Sequence, residues 1–380
     1  MAMNALLPAT YIQTDAELAA AVAALRHEPL LAVDTESNSM HAYRERVCLI
    51  QISTRSADYI IDPLSAVDLA PIGELLADPA IEKVFHAAEY DLICLKRDYN
   101  FSVNNLFDTM IAARICGYKN VGLGTLLGEL IGVKLDKSHQ RDDWGKRPLP
   151  ASSLHYAQMD THYLPDLREH FAKRLAQLGL WQEARETFAE LNPVPAANHQ
   201  FDPDGYWRIA LPNQLTPRQT AVLRELYLLR ERFAQERDVP PFKVFSDRTL
   251  AQLARAQPRT TAELAGIEGM SNGQVRRYGS QILQAVAQGM NSAPPQQPPP
   301  RPPVDPIVVE RYSKLRDWRR QRALARGVES DVIISREALW ALAEQAPTTL
   351  EALQGIRGLG PWRIEQYGEE LLRVLRNGRK

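Results

Sequence analysis

The sequence predicts an α/β domain followed by two small all-α domains. Three observations carry this prediction. Short apolar, β-branched runs alternate with helical stretches up to about residue 190. Strand-like runs then disappear. The helical remainder overlies itself, without a gap, when shifted by 89 residues.

The elements follow in order. Ala16 to Arg26 reads as a helix, and LLAVD (30–34) as a buried strand. VCLIQIST (47–54) and DYIIDP (58–63) read as two strands joined by a short turn, a hairpin. LAPIGELLAD (69–78) is a helix, and EKVFHA (82–87) a short strand leading into the helix AEYDLICLKRDY. FDTMIAARICG is a helix behind an aspartate cap. This order predicts a mixed sheet with helices on its faces. In the repeat, Arg230 matches Arg319, Ser246 matches Ser335, Pro258 matches Pro347, and Tyr278-Gly279 matches Tyr367-Gly368. Each copy is long enough to hold its own core. The expected boundaries are a first domain at 1–192, a linker at 193–212, helical domains at 213–291 and 307–380, and a proline-rich spacer at 292–306. Dense proline favours polyproline II at about 3.1 Å per residue, so the spacer is semi-rigid; its PxxP pattern is also that of a ligand for a proline-recognising module.

Composition excludes several classes. The 380 residues hold 45 Lys+Arg and 46 Asp+Glu, so no global field selects a polyanion, and only local patches can. Three scattered cysteines make neither a disulfide framework nor a thiolate zinc site. The segment MAMNALLPATYIQTD has no basic n-region or long apolar core, and no stretch is long and apolar enough to span a membrane. A soluble, cytoplasmic protein with no membrane partner, acting as a monomer, is expected.

The strand LLAVD runs into T-E-S, which places Asp34 and Glu36 on one face of its end. Such a pair is either a strand running out into solvent or two carboxylates aimed at a shared cation. Asp91 lies early in a helix that follows a buried strand, where α/β folds collect ligand groups. Tyr156 and Asp160, four apart, share a face of one helix; a surface hydrogen bond is the ordinary explanation of that spacing.

Taken together, Asp34-x-Glu36, the HxxxYD segment ending in Asp91, and Tyr156-x-x-x-Asp160 resemble, in order and context, the DEDD exonucleases of the tyrosine-bearing subgroup. LDKSHQRDDWGKRPLP (135–150) resembles the loop of the ribonuclease D family between its second and third motifs, and the repeated helical unit resembles the HRDC domain. The resemblance covers nearly the whole chain. It implies a ribonuclease H-like first domain and a 3′–5′ exoribonuclease that trims precursor tRNA from a single-stranded 3′ end, releasing nucleoside 5′-monophosphates. It also implies catalysis with two divalent cations. Asp34, Glu36 and Asp160 would hold one ion, Asp34 would bridge to the second, Asp91 would hold that one largely through water, and Tyr156 would orient the attacking water. Four such carboxylates within about 5 Å repel by a few kcal/mol per pair at an effective dielectric near 20 and need cations. All-oxygen ligands favour Mg²⁺ or Mn²⁺. A DNA exonuclease of the same superfamily, or a binding scaffold with weak nuclease activity, is the alternative.

For RNA binding, the helix from Arg311 to Gly327 is strongly basic and carries Arg319, Arg320 and Arg322; it is either a phosphate-binding surface or a solvated helix face. Trp318 is a stacking platform or a core residue. IRGLGPWRIEQYG has the GxG turn and following helix of a helix-hairpin-helix, whose amides can hold phosphate. In the loop, Lys137, Gln140, Trp144 and Arg147 are candidates to line the single-strand channel; Trp144 and Arg147-Pro148 are equally candidates for structural roles.

Overall fold

The computed structural model describes residues 6–136, 138–191, 200–299 and 302–376. Lys137 therefore lies outside the described residues, as do residue 192 and 193–199 of the linker. The chain divides into two compact units. One comprises Met1–Glu36, Val47–Ala197 and Pro302–Lys380; the other comprises Ser37–Arg46 and Asn198–Arg301.

The first unit is built on a six-stranded sheet. Its strands are β1 (Thr10–Ile12), β2 (Leu30–Ser37), β3 (Val47–Ser53), β4 (Asp58–Ile61), β5 (Glu82–Phe85) and β6 (Leu106–Asp108), in the order β1-β4-β3-β2-β5-β6. The expected hairpin is the antiparallel β3–β4 pair, with Ile50 opposite Ile61. β5 runs parallel to both β2 and β6, with Leu31 opposite Lys83 and Val84 opposite Phe107. The helices are α1 (Asp15–Leu25), α2 (Ala70–Ala77), α3 (Glu89–Tyr99), α4 (Thr109–Ile115), α5 (Leu123–Leu130), α6 (Ala151–His162), α7 (Leu164–Leu178) and α8 (Trp181–Glu190). β1 and β6 are three-residue strands, too short for an alternation to show in the sequence.

Strand alternation places the site. Leu31 and Val33 of β2 enter the core that holds α1 and α2, whereas Ala32 enters the opposite core with Phe107 and Phe171. Asp34 and Glu36 continue the register of Ala32, beyond the point where apolar side chains fill that face.

The two helical copies repeat in three dimensions. The first packs around Leu226, Phe233, Leu250 and Ile282, the second around Leu315, Leu339, Leu342 and Leu371. Ser246 and Ser335 cap corresponding helices. Gly269 and Gly358 take φ of +88° and +85° at the hairpin turn, a conformation that only glycine adopts without strain. Arg230 donates to the Phe245 carbonyl at 3.1 Å, and Arg319 to the Ile334 carbonyl at 3.0 Å.

That equivalence gives Arg319 of the basic helix, which spans Pro306–Arg326, a structural role. Arg319 braces its own module in the way Arg230 braces the first. Arg322 is ion-paired with Glu370. Trp318 is a core residue, 8% exposed, whose Nε1 donates to Glu370 at 2.8 Å. Arg320 is exposed. The second copy belongs to the sheet-bearing unit: Nη2 of Arg114 donates to both carboxylate oxygens of Asp331 at 2.6 Å, and Arg326 pairs with the fully buried Glu183 of α8 at 2.8 Å.

Candidate active site

Asp34 and Glu36 project from β2, and Asp160 meets them from α6. One carboxylate oxygen from each lies within 4.8 Å of the others. Among the described residues this is the group of acids arranged to hold a metal ion. Asp91, on α3, is 6% exposed. Its Oδ1 accepts from the backbone N of Thr35 at 3.1 Å and from Thr35 Oγ1 at 2.5 Å, so it is turned toward the residue between the two β2 acids. It stands beside the trio rather than within it.

The electrostatics follow from burial. Desolvation, then the negative charge of Asp160, holds the Asp34 carboxyl well above its ordinary range. Glu36 is raised by burial and by Asp34, Asp160, Asp91 and Asp142. Asp91 is raised by burial and by Asp34. Burial pushes Asp160 up to about 7 despite a hydrogen bond from Tyr156, and burial with the surrounding acids drives the Tyr156 phenol upward. Crowded, desolvated carboxylates of this kind require protons or cations, and an all-oxygen set fits a hard divalent ion.

The turn into α3 is built to present Asp91. Ala87 has φ +67°, a strained value for a residue with a Cβ. Asp108, fully buried, accepts from Ala88 N at 2.7 Å and Ile111 N at 2.9 Å, tying the start of α3 to that of α4. In the sequence Asp108 reads only as a helix cap, and Thr35 is not among the candidate site residues. The clue was present in D-T-E, where a hydroxyl sits between two acids on the other face of the strand.

The loop before α6 bears on the two roles left open for Trp144 and Arg147. Trp144 is 1% exposed and packs with Cys48, Leu49, Ile60 and Ala157; its ring centroid lies 6.1 Å from that of Tyr156. Arg147 makes a bidentate pair with buried Asp62 at 2.6 Å and also donates to the carbonyls of Cys48 and Trp144 at 2.8 Å. Neither lines a channel: an indole in a core and a guanidinium satisfied by a buried carboxylate are structural. They anchor the loop against α6 and so support Tyr156. Within it, Asp142 accepts from Ser153 Oγ at 2.6 Å and bonds His139 at 2.8 Å. Gln140 is exposed.

A half-buried acidic trio on a mixed sheet, a fourth acid beside it and a tyrosine one turn away define a 3′–5′ exonuclease. A family model described as 3′–5′ exonuclease matches residues 9–176, and one described as HRDC domain matches 219–286 and 309–375. Ribonuclease D of Granulibacter bethesdensis is 32% identical over 97% of this chain and 93% of its own length. That of Pseudomonas paraeruginosa is 32% identical over 96% and 97%. The crystal structure of Escherichia coli RNase D aligns with a TM-score of 0.67 at 28% identity, covering 98% of this chain and 99% of that one. The catalytic core of RRP6 from Trypanosoma brucei aligns with a TM-score of 0.67 at 30% identity, covering 75% and 80%. The chain belongs to the ribonuclease D family and is a 3′–5′ exoribonuclease. No helix among the described residues is long and apolar enough to cross a membrane.

Proposed function

We propose that the chain removes nucleotides singly from the single-stranded 3′ end of precursor tRNA, as a monomer in the cytoplasm, using two Mg²⁺ or Mn²⁺ ions. The observation that carries this reading is the convergence of Asp34, Glu36 and Asp160 within 4.8 Å, with Asp91 alongside. When bound, the ions would activate water and stabilise the charge developing on the phosphate and the leaving 3′ oxygen. Asp34, Glu36 and Asp160 would hold the nucleophile-side ion, Asp34 would bridge, and Asp91 would serve the second ion largely through water. Burial and the neighbouring acids raise the Tyr156 phenol in the metal-free site, and the reading gives it the role of orienting the attacking water. Cleavage on the 3′-oxygen side leaves nucleoside 5′-monophosphates. Gln140, Arg320 and Arg322, all exposed, remain the candidates for RNA contact. Escherichia coli RNase D is described as an exoribonuclease involved in structured RNA processing, which supports a structured precursor as substrate.

A 3′-labelled tRNA precursor assayed beside a matched single-stranded DNA tests the proposal. Mononucleotide release from the RNA in Mg²⁺ or Mn²⁺, abolished by EDTA, is expected. Full activity in EDTA overturns the metal assignment, and preference for the DNA overturns the substrate.

A further inference from the structure

The second helical copy carries a GxG hairpin, and the structure shows what its amides hold. The helix Pro361–Arg376 starts directly after Gly360. The backbone N of Trp362 donates to Glu186 Oε1, and that of Arg363 donates to Glu186 Oε2 at 3.4 Å. Glu186 belongs to α8 of the catalytic domain. A Cβ at position 360 would lie 2.6 and 2.7 Å from the two carboxylate oxygens, so any other residue there would push the Glu186 carboxylate off its present seat. The first copy solves the same problem internally: Ser271, the counterpart of Gly360, caps its helix by accepting from Gln274 N at 3.2 Å.

The side chains on this face match the backbone arrangement. Arg363, 3% exposed, donates to the Ile333 carbonyl at 3.1 Å, as its counterpart Gln274 donates to the Val244 carbonyl at 2.8 Å. Where the first copy has an amide, Arg363 also reaches Glu190 at 3.2 Å and Thr187 Oγ1 at 3.0 Å of α8. Arg326 pairs with Glu183 one turn away. Glu183, Glu186 and Glu190 thus form an acidic row at i, i+3 and i+7 on α8, met by two arginines and two amides of the module.

We infer that Glu186 and Gly360 form an inter-module latch: the carboxylate supplies the helix cap that Gly360 cannot, fixes the second module on the catalytic domain, and closes its hairpin to RNA phosphate. The positive end of a helix and its unpaired amides bind an anion of either origin, and here a resident carboxylate occupies them. The inference rests on the nuclease reading only in naming RNA as the excluded anion.

Amide hydrogen exchange on the full-length protein tests this, with a single-stranded RNA oligonucleotide as probe and EDTA present to prevent hydrolysis. The readout does not depend on activity, so its failure is distinct from failure of the nuclease assignment. Glu186→Ala should speed exchange at Trp362 and Arg363 at least about tenfold, the scale of a charge-assisted hydrogen bond. Asp331→Ala, which removes a different contact between the same two surfaces, should leave those amides unchanged. The oligonucleotide should not alter them in the wild type but should slow them again in Glu186→Ala. Unchanged exchange in Glu186→Ala, or equal acceleration by Asp331→Ala, overturns the latch. Protection by the oligonucleotide in the wild type overturns the closure.

Discussion

Asp91 accepts both hydrogen bonds that Thr35 can aim at it, from the backbone N at 3.1 Å and from Oγ1 at 2.5 Å. Thr35 lies between Asp34 and Glu36, so one residue couples the fourth carboxylate to the strand that carries the first two. Burial makes these acids costly to ionise, and the hydrogen bonds from Thr35 are what lower the Asp91 carboxyl against that cost.

The acids should make the metal-free protein less stable as pH rises. Asp160 sits at about 7 in the folded chain against an ordinary 3.8. Below about 4 the group is protonated in both states. Between about 4 and 7 the unfolded chain gives up the proton while the folded one keeps it, so stability falls with rising pH through that window. In EDTA, Asp160→Asn should flatten this slope and raise stability at pH 7 by about 1–3 kcal/mol, while turnover in Mg²⁺ drops by orders of magnitude. Thermal unfolding from pH 4 to 8, alongside single-turnover hydrolysis, checks both. An unaltered slope, or near-normal turnover, removes Asp160 from the site.

Tyr156 and Trp144 should separate chemistry from support. Tyr156→Phe removes one hydroxyl; kcat should fall by about 10²-fold with RNA affinity and melting temperature preserved. Trp144→Ala opens a cavity beneath Tyr156 and should cost about 3–5 kcal/mol of stability before any effect on RNA binding. An unchanged kcat in Tyr156→Phe would leave the tyrosine as a surface partner of Asp160.

Two arginines should behave in opposite ways. Arg147→Ala strands the buried Asp62 carboxylate and should destabilise the fold by about 3 kcal/mol or more. Arg320→Glu should leave the melting temperature unaltered and weaken RNA binding, with a salt slope shallower by about one. Equal salt slopes for wild type and Arg320→Glu would take Arg320 off the RNA path.

The order of the three motifs, the mixed α/β domain and the repeated helical unit were legible in the sequence. Each rests on a local period: alternation carries Asp34 and Glu36 to one face of β2, helical spacing pairs Tyr156 with Asp160, and a shift of 89 residues overlays the copies. Only the tertiary structure decided that Trp144 and Arg147 support the site from below, that Arg319 repeats the bracing role of Arg230, and that the second hairpin is occupied by Glu186. The reason is physical. Periodicity reports which side chains share a face of one element, whereas the partner of a charged group depends on what packs opposite it. For Arg147 that partner is Asp62, 85 residues away in the chain; for Trp362 it is Glu186, 176 residues away.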